Sequence, residues 1–155
     1  MVAKTDLLNP LLPEWATDLV GEINADLQQT PRKLVVLDDD PTGTQTVRNV
    51  PVLTEWSVEA LRNELAETTS NVFYVLTNSR SLPSAKAQAL NAEIGKNLVE
   101  AAQQAGCGFS VVSRSDSTLR GHYPAETDAL AAALDIKFDA VLLIPCFVEG
   151  GRVTI

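Results

Sequence analysis

The stretch LVVLDDDPTGTQTV, residues Leu34 to Val47, sets four apolar residues against three consecutive carboxylates and then closes on Pro41-Thr42-Gly43-Thr44. With Lys33 before it, the apolar half reads as a short, fully buried strand. A continuous apolar run, rather than an alternating one, belongs to a parallel sheet covered on both faces. The acidic half needs a different reason. Adjacent carboxylates repel, and packing gains nothing from crowding Asp38, Asp39 and Asp40 at one strand tip. Either they sit on a solvated turn, or a cleft at that end of the strand uses acidic groups.

Working outward, Leu12, Trp15, Ala16, Leu19, Val20, Ile23 and Leu27 recur at helical spacing, so residues 1–30 predict an amphipathic helical extension that Pro31 ends. Beyond the opening stretch, VPVLT is a weak strand, and Ser57 is a predicted N-cap for VEALRNEL, with Trp56 stapling onto Leu61. NVFYVLT is a strong strand by its β-branched and aromatic content. Ser84 opens a long helix that the glycines of AGCG terminate. Strand GFSVVS, a helix from about Pro124 to Leu134 and strand DAVLLI complete the order. Strands alternating with helices predict a three-layer, doubly wound, mostly parallel α/β domain of Rossmann-like type over residues 31–155.

Composition narrows the function classes. The 155 residues suffice for one cored domain, and 45% are apolar. A formal charge of −8 argues against a nucleic-acid partner or an anionic membrane surface. No apolar run is long enough to span a bilayer and no signal-peptide core opens the chain, so a cytoplasmic protein is expected. Cys107 and Cys146 lie far apart with no metal-ligand spacing; reduced thiols and no metal site are expected. Neither GxxxxGK[ST] nor GxGxxG occurs, so no nucleotide site is evident.

Each strong strand is followed at once by a polar cluster: DDDPTGT, TNSRSL, RSDSTLRGHYPAE and PCFVEGGRVTI. In open parallel sheets, ligands bind at the carboxyl ends of the strands, where all four clusters fall. Four of the seven arginines, Arg80, Arg114, Arg120 and Arg152, lie in these clusters, and none of the five lysines does. Arginine's rigid fork pairs with carboxylate or phosphate through two parallel hydrogen bonds. Arginines gathered with Asp39, Asp40 and Asp116 point to a small, anionic, hydroxyl-rich ligand, against the plainer reading of ion pairs bridging loops. His122 reads as a helix-start residue. Glu126 sits in a first helical turn, where a carboxylate favours the dipole.

Two family resemblances follow. As hhhhDxDxT, Val35 to Thr42 resembles the first motif of haloacid-dehalogenase-type phosphatases, with Asp38 as nucleophile, Asp40 as acid/base and Thr77 as a phosphate-binding hydroxyl. No acidic pair follows the last strand, and RSDSTLRGHYPAE has no place in that pattern. The second resemblance covers more of the chain. DDPTG (39–43), SRS (79–81), DSTLRG (116–121) with PAE after it, and P-x-F-x-x-x-G-R-x-T (145–154) appear in the order found in the N-terminal, sugar-binding domain of the four-carbon acid sugar kinases.

That resemblance implies an ATP- and Mg2+-dependent kinase acting on threonate, erythronate or 3-oxo-tetronate. A C-terminal nucleotide-binding domain would bind ATP, and the chain, ending inside the last motif, would be a truncated piece that is inactive alone. It implies substrate contacts from Thr42, Gly43, Ser79 and Ser117, with Arg80 and Arg120 receiving the carboxylate and Arg152 meeting the phosphoryl group. Asp39, Asp40 and Asp116 would orient hydroxyls, one of them as base. A non-catalytic sugar-acid-binding module is an alternative, and a second copy of the chain is a further candidate partner. The family's usual first motif is closer to ADDLTGA, so Asp38 stands at an alanine position, and Asp38→Ala is expected to change ligand binding little. Arg114 and His122 stand where lysine and asparagine are common.

Overall fold

The computed structural model describes residues 17–116, 118, 120–136 and 138–145. The chain divides into two compact units, Met1–Pro31 and Arg32–Ile155. In the first, helix α1 spans Val20–Gln29 and buries none of its residues. Leu12, Trp15 and Ala16, which set the predicted helical spacing, lie outside the described residues.

The second unit runs β1 (Arg32–Asp38), β2 (Val52–Leu53), α2 (Val58–Ala66), β3 (Val72–Leu76), α3 (Ser84–Ala105), β4 (Gly108–Arg114) and α4 (Ala125–Leu134). All pairings are parallel, in the order β2-β3-β1-β4. An all-parallel sheet with flanking helices is the three-layer, Rossmann-like α/β class that the alternation of elements predicts. Register aligns the carboxyl ends of three strands: Asp38 stands opposite Leu76 of β3 and Arg114 of β4. The polar segments after β1, β3 and β4 therefore leave the sheet side by side.

Local chemistry explains the element ends. The Ser57 hydroxyl accepts the Ala60 N–H at 3.2 Å, capping α2 as the sequence predicts. Gly106, at φ +63°, closes α3 in the left-handed region where an L side chain is strained. Val35, Leu37, Phe73 and Val75 meet Leu61 and Leu65 of α2, Ile94 and Leu98 of α3, and Leu130 and Leu134 of α4 in one buried cluster. Trp56 packs against that cluster and donates its indole N–H to Glu93 at 3.2 Å. Gly95 lets α3 approach α4 closely, since a Cβ there would come within 2.9 Å of the Ala133 methyl.

Two strand expectations need correction. The KLVVL strand is not buried throughout. Val35 and Leu37 point toward the helices, while Leu34, on the alternate face, is exposed. Its neighbour Lys33 is buried, with its ammonium donating to the Ser70 carbonyl. The DAVLLI segment forms no strand: Val141, Leu142, Leu143 and Ile144 are exposed. An apolar run acquires strand geometry only by pairing, and among the described residues β4 is the last strand on that side of the sheet. No helix among the described residues is long and apolar enough to cross a membrane.

Candidate functional site

Asp38 ends β1 and is fully buried. Its Oδ1 accepts from Arg114 Nη1 at 3.2 Å, straight across the β1–β4 register. Among the described residues its Oδ2 has no hydrogen-bond partner. The chain then folds back over this carboxylate. Asp40 Oδ1 accepts from the backbone N–H of Thr42 at 2.8 Å and from the Thr42 hydroxyl, and Gly43 enters a short 3-10 turn. A Cβ on Gly43 would overlap the Asp38 carboxylate, so this turn requires glycine. Asp38 is thus not an exposed residue of the turn but a buried ion-pair partner and the floor of PTGT.

Asp39 is held by arginine. After β3, Asn78 turns the chain at φ +50°, in the left-handed region that asparagine tolerates. This brings Arg80 across β1, where Nε and Nη2 bond the two Asp39 oxygens at 3.1 and 2.7 Å. Its Nη1 bonds Asp40 Oδ2 at 3.0 Å. All three guanidinium nitrogens are thus engaged, and Asp39 Oδ2 also accepts from Ser115 Oγ at 2.7 Å.

Beneath this pair lies a polar network. Ser79 is buried and donates to Glu126 Oε2 at 2.8 Å, and Asn91 donates to the same oxygen at 3.3 Å. The Thr77 hydroxyl donates to the Asp38 carbonyl at 3.0 Å, tying β3 to β1. Gly121 lies where these groups crowd. A Cβ there would overlap Ser115 Oγ and approach Asp39 Oδ2 to 3.0 Å.

Asp116 follows β4 and is buried. Its Oδ2 accepts from Arg120 Nε at 2.5 Å and from the Thr118 hydroxyl. These bonds, Arg120's first, hold its carboxyl well below the usual range. Asp40 is lowered chiefly by its bonds from Thr42, whereas burial raises Asp38, with only partial relief from Arg114. These directions set an acid response. The contributions of Asp40 and Asp116 are complete above the unfolded carboxylate value of about 3.9 and are lost as pH falls below it. Asp38 acts oppositely, opposing the folded state as pH rises through its raised value. Urea titrations should therefore show less loss of stability between pH 5 and pH 3 in Asp116→Asn than in wild type. An unchanged or steeper loss would contradict the assignment.

The charges form layers. The side chains of Asp38, Asp39 and Asp116 are 0, 4 and 4% exposed, while Arg80, Arg114 and Arg120 are 18, 38 and 66% exposed. Asp40, at 23%, is the one aspartate of the set that reaches the outer layer. Guanidinium groups thus lie over buried carboxylates. Of the residues singled out by sequence, Asp39, Asp40 and Arg80 form one ion-paired group and Asp116 and Arg120 another. Arg80 feels Asp116, and Arg120 feels Asp39 and Asp40. Thr42 and Gly43 frame the first group, Ser79 lies beneath it, and Ser117 and Arg152 fall outside the described residues. No group of three or more His, Cys, Asp or Glu among the described residues is arranged to hold a metal ion.

Glu126 and Asn91 were missed as site-supporting residues, yet they left a signal. Glu126 shares a helical stripe with Leu130 and Leu134, and Asn91 shares one with Ala87, Ile94 and Leu98. A polar residue in register with an apolar stripe is buried and must find a partner.

Residues 34–155 match the family model of the sugar-binding N-terminal domain. The chain belongs to this family. No curated protein matches it. The sugar-binding domain so defined begins at Leu34, in the central strand β1, and includes every charged residue of the layered cluster.

Proposed function

We propose that this sugar-binding domain presents a four-carbon sugar acid, of threonate, erythronate or 3-oxo-tetronate type, for phosphorylation by ATP. The observation that carries this reading is the outer arginine layer. An anionic ligand approaching the strand ends meets guanidinium groups first, with the compensating carboxylates buried below them. Arg120 Nε is engaged by Asp116, leaving its two terminal nitrogens to receive the ligand carboxylate. Arg80 is more constrained, with each of its three nitrogens bonded to Asp39 or Asp40 and one N–H left on each terminal nitrogen. Its role becomes fixing Asp39 and Asp40, and Ser79 and Gly43 act from beneath rather than by touching substrate.

Phosphoryl transfer depends mostly on positioning and charge stabilisation, with a carboxylate to accept the attacking hydroxyl's proton. Asp40 is the best placed of the three aspartates for that contact, since Asp39 and Asp116 are buried under their arginines. ATP and Mg2+ would be bound mainly by a C-terminal nucleotide-binding domain, and Arg152 is the residue we propose to meet the transferring phosphoryl group. Among the described residues no group of three or more His, Cys, Asp or Glu could hold the ion, which leaves it to that second domain.

The phosphatase reading requires Asp38 to attack phosphorus, but its carboxylate lies beneath Gly43 and against Arg114 without solvent exposure. A non-catalytic module would share the same binding surface. Ligand-observed NMR with the three sugar acids should show saturation transfer to at least one of them. The chain alone should hydrolyse neither ATP nor a generic phosphomonoester with Mg2+. Phosphomonoester hydrolysis that disappears in Asp38→Asn would overturn the kinase reading in favour of the phosphatase.

A further inference from the structure

Arg114 ends β4 and is fixed at both its main chain and its side chain. Its carbonyl accepts the Asp39 N–H at 3.3 Å, and its Nη1 bonds the fully buried Asp38 at 3.2 Å. Arginine carries five N–H donors. Among the described residues, Nε and Nη2 of Arg114 have no hydrogen-bond partner, and its side chain is 38% exposed. Arg80 is the reverse case, with all three nitrogens engaged and 18% exposure. Arg120 is more exposed and stands in the loop beyond β4 rather than on a strand. Arg114 also helps to lower the Asp40 carboxyl, after the bonds from Thr42 and the charge of Arg80.

From this arrangement we propose that Arg114, preorganised by Asp38, is an acid-recognition residue of the sugar site, donating its free N–H groups to the ligand carboxylate. The inference rests on the sugar-acid reading above and deepens it. A cation whose geometry is fixed before binding loses less conformational freedom on meeting its ligand. The buried partner explains why β1 ends on three aspartates rather than two. Asp38 orients Arg114, while Asp39 and Asp40 orient Arg80. A neutral polyol gains little from such a fork, so Arg114 adds to Arg120 in setting the preference for acid over alcohol.

The test compares threonate with threitol, its neutral four-carbon counterpart, by calorimetry. Wild type should prefer threonate by about tenfold or more. Asp38→Asn, which keeps the guanidinium and removes the counter-charge that fixes it, should lower that preference by about twofold or more, and an undiminished preference in this variant overturns the preorganisation by Asp38. The double variant Asp38→Asn/Arg114→Gln keeps a neutral hydrogen-bonding pair in place of the ion pair, and should lose at least about fivefold of that preference, with Arg120 supplying what remains. Should the double variant fail to fold, Arg114→Lys preserves the charge but not the fork. It should weaken threonate several-fold while leaving threitol unchanged. An undiminished preference in a folded double variant, or in Arg114→Lys, overturns the role of Arg114 while leaving the sugar-acid reading intact. Equal binding of acid and polyol by wild type overturns both.

Discussion

Arg80→Ala should lower the stability of the domain by about 3 kcal/mol, the largest single effect expected at the site. Asp39 has two strong donors on its oxygens from Arg80 and a third from Ser115, and it is almost wholly buried. Removing the guanidinium leaves that carboxylate with one neutral donor and no counter-charge. Asp40 loses a bond as well but is solvated enough to recover water. Arg80→Lys should recover only part of the loss, because one ammonium cannot make two parallel bonds to Asp39. Asp39→Asn in the Arg80→Ala background should be milder than the sum of the single changes, since it removes the stranded charge. Urea denaturation gives the comparison directly. A loss under about 1 kcal/mol, as exposed ion pairs show, would mean that the pair is a surface bridge and not a structural joint.

Gly43→Ala is the second large effect, at about 2–3 kcal/mol. Its new methyl would occupy the space of the Asp38 carboxylate, which cannot retreat without leaving Arg114. Either the PTGT turn lifts or the ion pair breaks, and both outcomes separate Asp40 from Thr42 and Arg80. The same collision names its own remedy. Asp38→Ala alone should destabilise, because it strips Arg114 of its partner and leaves a void under the turn. In combination with Gly43→Ala it should cost clearly less than the two changes added together. Strict additivity would show that the Gly43 penalty arises elsewhere, for instance in the backbone of the 3-10 turn.

The fold was legible where the sequence carried strong local signals. The cap at Ser57, the glycine stop at Gly106 and the β-branched run of β3 each appear as read. The last apolar run was not legible, because VLLI looks the same whether it pairs or lies exposed. The edge that holds the site was also visible, since parallel strands release their loops on one side. Which arginine serves which carboxylate was not. Arg80 and Arg114 look equivalent in sequence, and only the β1–β4 register and the left-handed turn at Asn78 decide that one is fully engaged and the other open. The burial of Asp38 was not legible for the same reason. Its importance comes from a contact with Gly43, which the sequence shows only as a neighbour five residues on. Glu126 sat in view as a carboxylate on an apolar stripe, but the first-turn dipole offered a sufficient explanation and concealed Ser79 as its partner.

The central claim is that arginines layered over buried carboxylates select an anionic, hydroxylated ligand. Its most direct test is a calorimetric titration of wild-type protein with threonate and with threitol at neutral pH and in two salt concentrations. A partly solvated arginine–carboxylate contact contributes about 1–2 kcal/mol, so threonate should bind roughly tenfold more tightly, with the advantage shrinking as salt is raised. Threitol binding as tightly as threonate, with no dependence on salt, would contradict the account.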